Sequence, residues 1–158
     1  MEDTTGLLPE QAERYERNLL LAGVGREGQE RLLHSRVLVA GAGGLGSPAA
    51  FYLAAAGVGH LTLLDPDKVS LSNLQRQILH ATPDLGRHKV ESAAEKLTAL
   101  NPDVELEALA AALDDDNAAD LLPGHDFIID ATDNFSSRHV INRVCLKLGK
   151  PFVYGGVL

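Results

Sequence analysis

The chain has 158 residues and a formal net charge of −8, so its surface as a whole repels nucleic acid and anionic membranes. Hydrophobic residues make up 45% of it, with four Phe, three Tyr and no Trp, which requires an aliphatic core of single-domain size. Cys145 is the only cysteine, which excludes an internal disulfide or a multi-cysteine metal site within this chain.

In chain order, "MEDTTGLLPEQ" is acidic and lacks an apolar run, so it does not read as a signal peptide. No stretch reaches the roughly 18 apolar residues of a membrane helix, and a soluble cytoplasmic protein is expected. Residues 9–22 read as one helix, with Pro9 early and Gly23 and Gly25 past its end. On that helix Arg14 and Arg17 of "RYERN" share a face. A short helix over about 26–33 follows. "SRVLVAG" reads as a strand, "GLGSPAAFYLAAAGV" as a helix ending at Gly57, and "HLTLLD" as a second strand. "HKVESAAEKLTAL" is helical and stops near Asn101–Pro102. "VELEAL" is a strand with alternating faces, and "DDDNAADLL" a short helix with an acidic start. "DFIIDAT" is a strand buried on both faces. Ser136–Leu148 is a helix that buries Cys145 as a structural thiol, and "PFVYGGVL" is a last strand.

Strand and helix alternate, so the fold class is α/β: a Rossmann-like, doubly wound, mainly parallel sheet with right-handed crossovers. Residues 1–34 form an N-terminal helical arm and 35–158 the nucleotide-binding domain. Ending on an apolar strand points to a shortened chain, or to an edge covered by a partner subunit.

"GAGGLG" fits G-x-G-x-x-G through Gly41, Gly43 and Gly46, with Gly44 inside it. The glycines allow a tight turn and close approach to a phosphate at a helix start. Asp65 lies about 20 residues further on, at the end of the next strand, where a carboxylate accepts from ribose hydroxyls. No G-x-x-x-x-G-K-[ST] occurs, so this is not a P-loop. Three further features converge on phosphates: Arg76 and Gln77 in "SNLQRQ", Lys89 in "GRHKVES", and Asp133 and Asn134 in "DATDN". The last pair follows a strand's carboxyl end, where doubly wound sheets bind ligands. NAD's pyrophosphate needs no extra arginine, lysine and acid. A triphosphate with a metal held by carboxylate oxygen does. Each residue also has a plainer reading: Arg76 as a surface ion pair, Lys89 as a solvated helix charge, Asp133 as a helix cap. Within "LSNLQRQILH", Leu74, Ile78 and Leu79 are expected to anchor the segment, and Gln77 to make a structural hydrogen bond.

"RYERN", "SNLQRQ", "GRHKVESA", "LNPDVELE" and "DATDNFSSRHVIN", in order around the glycine turn, resemble the ubiquitin-activating superfamily. Within it they resemble the bacterial HesA/MoeB/ThiF branch, the adenylyltransferases of molybdopterin and thiamine biosynthesis. The resemblance implies ATP- and Mg²⁺-dependent adenylation of the C-terminal glycine of a ubiquitin-like sulfur-carrier protein. It further implies Asp65 on the ribose, Gly44, Ser72, Asn73 and Asn134 lining the nucleotide, Arg76 and Lys89 on phosphate, and Asp133 on magnesium. Arg17 would reach the ATP of the other subunit in a homodimer. Asn18 stands where many relatives carry glutamine. Members of the branch usually continue with two C-x-x-C pairs that hold zinc, so Zn²⁺ is expected only if the natural chain continues. Two competing readings are a non-catalytic nucleotide-binding or dimerisation scaffold and an NAD-dependent oxidoreductase; the latter leaves Arg76, Lys89 and Asp133 idle.

Overall fold

A computed structural model describes residues 6–156. Five strands, β1 (Arg36–Ala40), β2 (His60–Leu64), β3 (Glu105–Leu109), β4 (Phe127–Asp130) and β5 (Phe152–Tyr154), form one sheet. Their order is β3-β2-β1-β4-β5, and every pairing is parallel. The chain therefore runs outward one way from β1 and then returns to build the other side. That reversal leaves a crevice beyond the carboxyl ends of β1 and β4.

Among the described residues seven α-helices accompany the strands: α1 (Pro9–Arg14), α2 (Glu16–Leu19), α3 (Gly25–His34), α4 (Gly46–Ala56), α5 (Lys89–Leu100), α6 (Ala118–Leu121) and α7 (Phe135–Leu148). Alternation along β1 divides the core between the two faces of the sheet. Val37 and Val39 pack with Ala50, Leu61, Leu63, Val90 and Leu97 under α4 and α5. Leu38 and Ala40 pack with Leu122, Ile128, Ile141 and Cys145 under α6 and α7. Cys145 is fully buried, and burial raises its thiol pKa, so it is a packing residue. Gly57 and Gly149 end α4 and α7 at left-handed φ of 85° and 64°.

Several expectations need correction. The helix over 9–22 is broken at Tyr15, which turns into the core and accepts a hydrogen bond from Asn101 Nδ2 at 2.8 Å. Arg14 and Arg17 consequently lie on different helices and share no face. Arg14 donates to the Leu100 carbonyl, whereas the Arg17 side chain is 86% exposed. The predicted helix over 114–122 shrinks to α6 and a following 3₁₀ turn, because Asp114 and Asn117 bond each other's backbone instead. Leu79 is buried as expected, but Ile78 is exposed and anchors nothing. Residues 1–5 of the acidic opening and residues 157–158 of the last strand lie outside the described residues. Among the described residues no helix is long and apolar enough to cross a membrane.

Candidate nucleotide site

The glycine turn joins β1 to α4 at the reversal point of the sheet. Gly41 adopts φ of 98°, and a Cβ there would come within 2.6 Å of the Ala131 carbonyl oxygen beyond β4. A Cβ at Gly46 would overlap the Gly41 carbonyl oxygen. Both glycines are required by close backbone approach. Gly43 and Gly44 differ: a Cβ at either would meet only a side chain at 3.7 Å, Gln77 and Arg76 respectively. Neither has positive φ.

The turn forms one wall of a cleft of about 760 Å³. Arg76 crosses over Gly44 and donates from Nη1 to the Ser72 carbonyl at 3.0 Å. Asp65, at the end of β2, accepts from the Ala42 amide at 2.7 Å and the Asp67 amide at 2.8 Å. A carboxylate offers about four acceptor positions, so two remain for a ligand's hydroxyls. Lys89 opens α5; its Nζ lies 2.8 Å from Asp67 Oδ2 and 3.7 Å from Asp65 Oδ1. Asp133 lies exposed on the opposite wall and makes no ion pair or hydrogen bond among the described residues. Asn134 lines the cleft too, but it is the cap of α7: its Oδ1 accepts from the Ser137 amide at 2.9 Å. The cap therefore falls on Asn134 and not on Asp133, which leaves the Asp133 carboxylate available.

Four sequence candidates lie elsewhere: Gly46, which closes the turn against the Gly41 carbonyl but does not line the cleft, and Ser72, Asn73 and Arg17. Ser72 and Asn73 do not line the cleft. They form the 3₁₀ turn before Arg76, with Asn73 Oδ1 accepting from the Ser70 amide at 3.1 Å. Arg17 projects from α2 into solvent, while its neighbour Asn18 ties that helix to Gln29 at 3.0 Å and to the Ala56 carbonyl at 3.4 Å. Gln77 does line the cleft and is buried, yet its Oε1 has no partner among the described residues, so the expected structural hydrogen bond is not made there by that atom.

Two contributions were missed in the sequence. Arg138 of α7 donates to Asp130 Oδ2 at 3.2 Å and to the Gly155 carbonyl at 2.9 Å, and stacks 4.9 Å from the Tyr154 ring. It braces the loop after β5 against the cleft. Leu64, Pro66, Ala111, Ala112 and Leu113 give the Asp65 end an apolar wall. The only advance signal was the aliphatic character of "AAAL", which says nothing about where it faces. The cleft thus holds three carboxylates (Asp65, Asp67, Asp133) and three cations (Arg76, Lys89, Arg138). The two sets cancel, so those cations have no surplus charge with which to offset a highly charged anion. Among the described residues no group of three or more His, Cys, Asp or Glu forms a metal cage.

A family model for the ThiF family matches residues 15–158. The SAMP-activating enzyme E1 of Haloferax volcanii is 49% identical over 154 residues, covering 98% of this chain and 57% of that protein. The sulfur carrier protein adenylyltransferase of Thermus thermophilus is 46% identical over 148 residues, covering 94% and 55%. The crystal structure of Escherichia coli tRNA N6-threonylcarbamoyladenosine dehydratase in complex with ATP superposes with a TM-score of 0.89 at 29% identity, covering 94% of this chain and 61% of that one. The chain spans little more than half the length of the two curated relatives.

Proposed function

The chain belongs to the ThiF family, and from that premise we propose that it is the ATP-binding part of an enzyme that adenylates a small ubiquitin-like sulfur-carrier protein. The observation that carries the reading is Gly43 and Gly44: the fold leaves room for side chains there, yet both are bare where Arg76 crosses the cleft. Bare backbone at that place suits close approach of a phosphate. The named activity of the Thermus relative and the ATP bound to the E. coli neighbour support the same ligand and chemistry.

In this reading the adenine rests against Pro66 and Ala111–Leu113, with the ribose on Asp65. The phosphates lie along the glycine turn. The carrier's C-terminal glycine carboxylate attacks the α-phosphorus. A new carboxyl O–P bond forms, the bond from the α-phosphorus to the bridging oxygen breaks, and pyrophosphate leaves with that electron pair. Arg76 and Lys89 stabilise the charge that develops on the phosphate oxygens. To reach them Lys89 exchanges part of its pairing with Asp67. Asp133 would hold Mg²⁺, which supplies charge neutralisation at the phosphates. No side chain acts as a covalent nucleophile. A homodimer would bring Arg17 to the partner's cleft. Helix α4, which carries no charged residue and leaves Tyr52 73% exposed, and Leu20, 70% exposed, offer it an apolar face. Zinc enters only if the natural chain continues into two C-x-x-C pairs.

The test is carrier-dependent ATP–pyrophosphate exchange by the full-length gene product. Asp133→Ala and Arg76→Ala are each expected to lower it by about 100-fold or more. Unchanged exchange in both would sink the site assignment. Calorimetric titration with Mg-ATP and with NADH separates the oxidoreductase alternative, which requires tight NADH binding and none of ATP.

A further inference from the structure

Beneath the glycine turn, the backbone of Ala42 is held from three elements. Its amide donates to Asp65 Oδ2 at 2.7 Å. Its carbonyl oxygen lies 3.1 Å from His80 Nε2 and accepts from Ser47 Oγ at 3.2 Å. A carbonyl can only accept, so Nε2 carries the proton. The neutral ring then presents Nδ1 as an acceptor, 3.0 Å from the Ser92 hydroxyl of α5. Ser92 Oγ in turn accepts from Lys96 Nζ at 3.0 Å, and Lys96 pairs with Asp84. Burial pushes the His80 pKa down, the Ala42 carbonyl opposes that, Lys96 and Lys89 push the same way as burial, and Asp84 pulls weakly back. Burial and the two lysines favour the neutral ring, in which the Ser92 hydroxyl donates to Nδ1.

We propose that His80 is a positioning residue for nucleotide binding: its Nε2–H and the Asp65 carboxylate clamp the two peptide groups that flank the Ala42 Cα and hold the backbone of Gly43 and Gly44 at the cleft wall. His80 touches no ligand in this scheme. It spares the nucleotide the cost of ordering the turn, so its loss weakens binding rather than removing a contact. Only the binding readout rests on the nucleotide reading above; the proton position does not.

Two measurements test it on the full-length protein. Long-range ¹H–¹⁵N correlation on ¹⁵N-labelled protein at pH 7 is expected to show His80 neutral and protonated at Nε2. A ring protonated at Nδ1 alone leaves Nε2 without a hydrogen and overturns the clamp without reference to ATP; protonation of both nitrogens keeps the Nε2 donor and with it the clamp. Calorimetry with Mg-ATP then compares His80→Leu with His80→Gln, whose amide nitrogen reaches the same place. Leucine is expected to weaken binding about tenfold, and glutamine to stay within about threefold of wild type. Equal binding in the leucine variant overturns the proposal, as does an equal loss in both. Should His80→Leu not fold, Ser92→Ala decides: about threefold weaker binding is expected, and unchanged affinity overturns it. A wild-type protein with Nε2–H but no affinity for Mg-ATP would defeat the nucleotide reading, and with it this role.

Discussion

A methyl group at Gly46 would overlap the Gly41 carbonyl oxygen, whereas one at Gly44 would meet only the flexible Arg76 side chain at 3.7 Å. Gly46→Ala should therefore cost more than about 3 kcal/mol in urea unfolding, a value reserved for backbone collision in a packed site. Gly44→Ala should stay within about 1 kcal/mol of wild type yet bind Mg-ATP more weakly. A similar separation applies to Asn134. Its side-chain oxygen caps α7 at 2.9 Å, so Asn134→Ala should cost about 1 kcal/mol while Asn134→Ser, which restores a cap, should not. Nucleotide affinity measured on the serine variant then isolates any direct contact. At this scale the sequence was informative wherever spacing and charge were distinctive: Gly41, Gly43, Gly44, Asp65, Arg76, Lys89 and Asp133 all reach one cleft. It was silent where direction decides. Asp133 and Asn134 are equally good caps by type, and only the start of α7 chooses between them. The hidden sides of Gln77 and His80 depend on the crossover's path, which no short-range pattern encodes.

Among the elements, the break between α1 and α2 shows why a continuous helical pattern misled. Neither Gly nor Pro lies between residues 10 and 22, so nothing local ends the helix. The interruption comes from Tyr15, which leaves the helical path to place its hydroxyl on Asn101. Asn101 is itself buried, donates to the Ala54 carbonyl at 2.7 Å and accepts from the Asp103 amide at 3.2 Å. One amide thus ties the arm, α4 and the turn after α5 together. Asn101→Leu would leave the Ala54 carbonyl and the Tyr15 hydroxyl without it, at about 2 kcal/mol in urea unfolding. The same change should speed amide exchange across residues 9–19; exchange that stays at the wild-type rate would mean the arm is held by packing alone. The strands were easier to read. β1, β2 and β4 are short aliphatic runs buried between neighbours, and such runs announce themselves without knowledge of register.

For the molecule as a whole, two buried histidines set the acid side of its stability. His80 and His125 are both pushed below the ordinary imidazole value, mainly by burial. The unfolded chain therefore takes up more protons than the folded one as pH drops. The stabilisation is complete above about pH 6.5 and is lost as pH falls through the two folded values. Asp84, which burial alone would raise, is instead held at about 2 by Lys96 and the Ala81 amide, so its share is lost later, between about pH 4 and 2. The urea midpoint should already be lower at pH 5 than at pH 7.5; a flat midpoint across that range would contradict neutral, buried rings. Finally, the reversal of the sheet at β1 has a consequence in time. Asp65, Arg76 and Lys89 belong to a stretch whose strands pair with near neighbours in sequence. Asp133 and Asn134 join only when β4 docks on β1, a meeting that brings the Arg36 amide to Asp126 across 90 residues. Closure over so long a separation is expected to be slow, which predicts a cleft completed late in folding and opened early in unfolding. A nucleotide spanning it would act as a latch across the seam: Mg-ATP should slow unfolding in stopped-flow experiments while leaving the refolding rate almost unchanged.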